Sequence, residues 1–118
     1  MPSWLKTFAL KSLMSTDRLS QLEEMLKEDP TDSFLQYGIA LEYAKKGNVN
    51  EAITRIEKIL SEKPDYLGAY YQLGQYYEVV NKNNEAIAIY EKGILLAKKM
   101  GNTKAMNELR EALQQLED

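Results

Sequence analysis

Two side chains that carry most enzyme chemistry are missing here: the 118-residue chain contains neither histidine nor cysteine. Without imidazole there is no Ser-His-Asp triad, no histidine general base and none of the commonest transition-metal ligand. Without thiol there is no disulfide, no thiolate nucleophile and no sulfur-ligated zinc, which fits a reducing compartment; a cytoplasmic location is expected. The remaining candidates are carboxylates, amines and phenols. Glu23-Glu24 could face a hard cation but lacks a loop of spaced oxygen ligands. No paired carboxylates set for acid–base work stand out, and no glycine-rich loop shaped to cradle phosphate. Lys45-Lys46 and Lys98-Lys99 fall where cations complement helix C-termini. No catalytic residue, metal or cofactor is expected, and the chain does not read as an enzyme. The phenols are left: of eight tyrosines, five fall between Tyr66 and Tyr77, a concentration suited to packing and recognition.

These side chains are positioned by a pattern that repeats. Residues 33–66 and 67–100 are one 34-residue unit written twice, with eight identical positions. Ala40 lies over Gly74, Tyr43 over Tyr77, Gly47 over Asn81, Asn50-Glu51-Ala52-Ile53 over Asn84-Glu85-Ala86-Ile87, and Glu57-Lys58 over Glu91-Lys92. A helical period of that length signals stacked helix hairpins. Pro30 stands one full period before Pro64, so Leu19 to Leu26 reads as the second half of an earlier unit. Ser15 or Thr16 is placed to cap that helix, and Asp29-Pro30 to end it. Thr31 or Asp32 caps the next helix, whose apolar residues Leu35, Ile39, Ala40 and Tyr43 run to a left-handed stop at Gly47. Asn48 and Glu51 form a capping box for a helix ended by Pro64. Asp65 opens the second unit, Asn81 replaces the stop glycine, and Gly101 precedes a last helix with Ala105, Leu109, Ala112, Leu113 and Leu116. No period-two pattern competes, so the fold is all-α.

The expected organisation is an N-terminal extension, 1–14, and a single domain, 15–118. The domain divides into a half-repeat at 15–32, repeats at 33–66 and 67–100, and a capping helix at 101–118. The extension carries Trp4, Leu5, Phe8, Ala9 and Leu13 at helical spacing, consistent with a short amphipathic helix, and lacks the long apolar stretch and cleavage site of a secretory signal. Met14 before Ser-Thr-Asp offers another start, which would make residues 1–13 an upstream extension.

In the second unit Tyr70, Leu73-Gly74, Tyr77, Ala86 and Tyr90 stand at the offsets of an aromatic, Leu-Gly, Tyr, Ala and a second aromatic. The first unit has Gln36, Ile39-Ala40, Tyr43, Ala52, Ile56 and then Pro64. This pattern resembles the tetratricopeptide repeat family, and the resemblance implies an α-α superhelix of antiparallel hairpins. The second unit departs from it by carrying Lys98 where Pro is expected, which bears on the angle of the C-terminal helix. Small residues Ala40 and Gly74 are expected to face Ala52 and Ala86 and let the helices approach closely.

The resemblance also implies where a partner binds. The first helix of each hairpin lines the concave side, and the residues between its packing positions are Phe34, Tyr37, Leu41 and Lys45, then Tyr71, Gln72, Gln75 and Glu78. Tyr43, Tyr70, Tyr77 and Tyr90 are assigned to packing. Some members hold an acidic peptide C-terminus with a Lys, Arg and Asn clamp; only Lys45 could serve here, so that mode is rejected. Tyr and Phe beside Gln suit an extended or helical protein segment offering apolar side chains. The expected role is a non-catalytic adaptor, and the alternative is a self-associating module that buries its exposed face in a homodimer. Lys and Arg are interleaved with Asp and Glu at a net charge of −3, so no nucleic-acid partner is expected. No apolar run reaches the roughly 20 residues that span a bilayer, and anchoring through residues 2–14 alone would be weak.

Overall fold

The computed structural model describes residues 17–118. Among them are six α-helices and no strand: α1 Arg18–Glu28, α2 Ser33–Lys45, α3 Val49–Glu62, α4 Gly68–Val79, α5 Asn83–Met100 and α6 Thr103–Glu117. The helix expected over 1–14 and the caps expected from Ser15 or Thr16 lie outside the described residues. The cap of α1 is instead Asp17, whose carboxylate accepts a hydrogen bond from the Leu19 amide at 3.2 Å.

The other helix ends follow their local chemistry. Asp32 accepts from the Leu35 amide at 3.1 Å, and Asn102 from that of Ala105 at 3.0 Å, each satisfying one of the donors a helix start leaves open. Asn48 accepts from Glu51 N–H at 3.4 Å, but the capping box is only half made. The Glu51 carboxylate turns to Arg55, 2.9 Å away, and the Asn48 amide donates to the Tyr43 carbonyl. Gly47, Asn81 and Gly101 take positive φ of 89°, 62° and 71°, the left-handed closure expected of the first two. α4 starts at Gly68, downstream of Asp65, and no side chain caps it. The Tyr70 hydroxyl instead donates to the Pro64 carbonyl at 2.5 Å, pinning the link from Lys63 to Leu67 onto the new helix.

Consecutive helices pack in pairs, α2 with α3 and α4 with α5, and α1 lies against α2. One core runs from α2 to α6 through Ala40, Ile53, Ile56, Leu73, Tyr77, Tyr90 and Leu109, while Leu22, Leu35 and Ile39 form a smaller one that joins α1 to α2. Each large aliphatic fully buried here contributes about 1.5–3 kcal/mol. At Gly74 the nearest neighbour is an aromatic ring one helical turn beyond Ala86. A methyl group built on Gly74 would lie 2.1 Å from Cε1 of Tyr90, so the bare glycine makes room for that ring.

Lys98 in place of proline has a visible effect. Glu62, where α3 ends, corresponds one unit later to Leu96, yet α5 continues for a further turn to Met100. Only Gly101 and Asn102 then separate it from α6, which folds back on α5 as closely as the helices of a hairpin pack on each other.

Candidate functional site

Burial divides the tyrosines. Tyr70, Tyr77 and Tyr90 are buried, Tyr43 and Tyr37 are half-buried, and Tyr71 remains 36% exposed. Tyr90, fully enclosed, is held by two side chains of α4: Gln75 Nε2 donates to its hydroxyl at 2.6 Å, and that hydroxyl donates to Glu78 Oε2 at 2.5 Å. Burial first, and then the Glu78 carboxylate, hold the Tyr90 phenol above its ordinary range. Tyr77 does the equivalent between repeats, donating to Glu57 on α3 at 2.8 Å, and is likewise raised by burial and by Glu57. Tyr43 carries the Arg55 guanidinium over its ring at 4.6 Å, a cation–π contact worth about 0.5–1 kcal/mol at such a surface.

Apart from Phe34, the eight residues expected to line the concave face are distributed between two depressions and the contacts around Tyr90. Tyr37, Tyr71 and Gln72 come together in a groove of about 290 Å³, shared with Leu67 and Gly68 at the start of α4 and with Asn102, Ala105, Glu108 and Leu109 at and within α6. Leu41 and Lys45 line a second, more open depression of about 410 Å³ with Glu42, Ala44 and Tyr76. Gln75 and Glu78 are engaged by Tyr90. Phe34, 68% exposed, stands apart from both depressions. Lys45 is 3.9 Å from Glu42, which also faces Arg18 at 3.6 Å.

The first groove is fixed from beneath. Tyr37 packs on Tyr66 with centroids 5.3 Å apart and rings tilted by 50°, and its hydroxyl donates to the Gly68 carbonyl at 3.4 Å. Burial, with lesser contributions from Tyr76 and Tyr66, pushes its phenol up to about 12. Tyr71 leans on Tyr90 at 6.4 Å, so its exposed ring stands on the clamped one. Gly68 leaves the floor open: a methyl group added there meets nothing within 4 Å. The result is an open aromatic trough with Gln72, Asn102 and Glu108 as polar edges, a shape suited to a chain segment more than to an enclosed small molecule.

The contribution of α6 was not anticipated from the sequence, since its polar residues read as a solvated cap. The signal was the period itself, because Tyr37, Tyr71 and Ala105 follow one another at intervals of one unit and all three line the groove. Tyr76, beside Leu41 and Lys45, was also missed. Among the described residues no cluster of His, Cys, Asp or Glu could hold a metal ion, and no helix is long and apolar enough to cross a membrane.

Stacked hairpins that recur with the sequence period, with an aromatic trough along their first helices, define a helical-repeat scaffold of the kind that presents a surface for binding. The family model described as tetratricopeptide repeat matches residues 35–66 and 67–100, and the chain belongs to that family. It is 31% identical over 99 residues to a TPR repeat-containing protein of Methanocaldococcus jannaschii, covering 79% of this chain but only 31% of that protein. Among solved structures, a tetratricopeptide repeat domain protein from Salinibacter ruber superposes with a TM-score of 0.72 at 37% identity, over 75% of this chain and 90% of that one. The TPR2B domain of yeast Sti1, solved in a complex with pHsp70, gives a TM-score of 0.77 at 19% identity, over 84% of this chain and 79% of that one; at that identity the likeness is one of fold.

Proposed function

We propose that this chain is a non-catalytic cytoplasmic adaptor that captures a segment of another protein in the groove between α2, α4 and α6. The observation that carries this reading is the convergence of Tyr37, Tyr71 and Gln72 from two successive hairpins with Glu108 from the last helix on one trough. The ligand that fits is an extended or helical segment with apolar side chains for the two tyrosine rings and hydrogen-bond donors for Gln72 and Glu108. The Sti1 domain, which shares the fold, was solved in a complex with pHsp70. An acidic tail is a poor fit for this groove, whose charged edge is the carboxylate of Glu108, while Lys45 lies in the other depression beside Glu42.

Selection from a displayed peptide library, followed by calorimetry, tests the reading. Enriched peptides should bind the native chain and lose at least about tenfold in affinity, or about 1.4 kcal/mol, with Tyr71→Ala. Gly68→Leu, which builds a side chain into the open floor, should block them as well. Peptides indifferent to both substitutions would refute the groove. A dimer in light scattering that buries Tyr71 would favour the self-associating alternative.

A further inference from the structure

Glu108 is the one charged residue on the groove between α2, α4 and α6, and no ion pair joins it to another described residue. Even Lys104, one turn earlier on the same helix, leaves it unpaired. The carboxylate of the second depression is already served: Glu42 is faced by Arg18 at 3.6 Å and by Lys45 at 3.9 Å. Glu108 also departs from the repeat. One unit before it stands Gly74 and two units before it Ala40, both buried, whereas Glu108 is exposed. The packing that takes a small residue at this place in α2 and α4 gives no reason for a carboxylate in α6.

Other polar groups of the groove are occupied. The Tyr37 hydroxyl donates to the Gly68 carbonyl, and the Asn102 side-chain oxygen accepts from the Ala105 amide. What remains for a ligand is two aromatic rings, each backed by a second tyrosine, the amide of Gln72 and one uncompensated negative charge. An aromatic face attracts a cation through its quadrupole and a carboxylate attracts it through charge; a guanidinium, being both flat and cationic, meets the two at once. The chain builds this arrangement elsewhere from its own residues. The Arg55 guanidinium lies 4.6 Å from the centre of the Tyr43 ring while its Nε is 2.9 Å from Glu51. At Tyr71 and Glu108 the described residues supply the ring and the carboxylate but no cation.

We infer, building on the reading of this groove as the binding surface, that the captured segment carries an arginine whose guanidinium stacks on Tyr71 and donates to the Glu108 carboxylate, with an apolar neighbour against Tyr37. A volume of about 290 Å³ lies at the small end of the roughly 300–1,000 Å³ of enclosed ligand sites, so the groove takes one long side chain and part of its backbone. Lysine fits less well, because its ammonium is a compact point charge that cannot lie along a ring and pair at the edge together.

Peptides selected on the native chain from a displayed random library, and placed in the groove by their loss of binding to Tyr71→Ala, should share an arginine. Exchanging that arginine for citrulline, its uncharged isostere, should weaken binding about fivefold, the upper range for a charge pair at a solvent-accessible edge. Glu108→Gln should weaken the arginine peptide to a similar extent and leave the citrulline peptide unaffected. Added salt should weaken the arginine peptide on the native chain and much less on Glu108→Gln. The citrulline comparison leaves the protein untouched, so it decides the matter even where Glu108→Gln disturbs the helix. Peptides that need Tyr71 but share no arginine, that carry lysine in its place, or whose arginine tolerates citrulline overturn the inference and leave the groove reading standing. Peptides indifferent to Tyr71→Ala, or a library that yields no binder, overturn both.

Discussion

Replacing Gly74 with Ala should destabilise the protein, although alanine is the better helix former. Inside α4 the substitution alone would gain about 1 kcal/mol from helix propensity. The added methyl group, however, would lie 2.1, 2.5 and 2.7 Å from three atoms of the Tyr90 ring. That ring is fully buried and tied at its hydroxyl to Gln75 and Glu78, so it cannot swing aside as a surface side chain would. Overpacking of this kind costs about 1–3 kcal/mol, and pulling the phenol from a carboxylate costs about 1.5–3 kcal/mol more. The net loss, once the propensity gain is subtracted, is roughly 1.5–5 kcal/mol, which for a domain of this size lowers Tm by about 6–25 °C. Thermal and urea unfolding followed by circular dichroism measure it, with Gly68→Ala, whose methyl group meets open space, as a neutral or slightly stabilising control. Combining Gly74→Ala with Tyr90→Leu should recover at least about 1 kcal/mol relative to the sum of the single changes, because the two residues share the contact. A Gly74→Ala protein as stable as the native one, or a cycle without coupling, would refute the packing account.

Ala86→Leu, at a fully buried position of α5, should cost about 1–3 kcal/mol by overpacking, read as a lower urea midpoint with an unchanged slope. Lys98→Pro writes the missing stop into α5 and removes an interior helical hydrogen bond, so a loss of about 3 kcal/mol is expected; unchanged stability would show that the last turn of α5 does not hold α6. Raising the pH should destabilise the fold through its phenols. Tyr37, Tyr77 and Tyr90 are held protonated when folded, above the ordinary value of 10.0. Their contribution is therefore complete below about pH 10 and is lost as the pH climbs through the folded values, about 12 for Tyr37. Tyrosinate absorbance should rise together with unfolding in that range, and a titration complete near the ordinary phenol value with helicity intact would contradict it.

The helices were legible because their signals are local. Asp32, Asn48 and Gly47 each act within a turn or so of their own position, and a repeat period needs no tertiary knowledge to detect. What escaped the sequence depends on contacts between distant residues. Nothing near Gly74 reveals that the ring of Tyr90 fills its place, and nothing near Gln75 or Glu78 shows that both turn to that phenol. The groove residues were legible as types but not as a set, because Tyr37 and Tyr71 meet α6 only after α5 has run past the position of the missing proline. The sharpest departure from the family pattern, Lys98, was visible from the start. Its effect, a longer helix and a two-residue turn, required the folded chain to be seen.

That longer helix gives the stack a polarity that matters for protein engineering. Between α3 and α4, Pro64 ends one helix and the link from Lys63 to Leu67 resets the chain before the next, so a duplicated unit could be spliced in there and the array lengthened. After α5 the chain doubles straight back through Gly101 and Asn102, and α6 packs along α5, so that junction has no such link to cut. Grafts meant to lengthen the binding surface therefore belong at the link from Lys63 to Leu67.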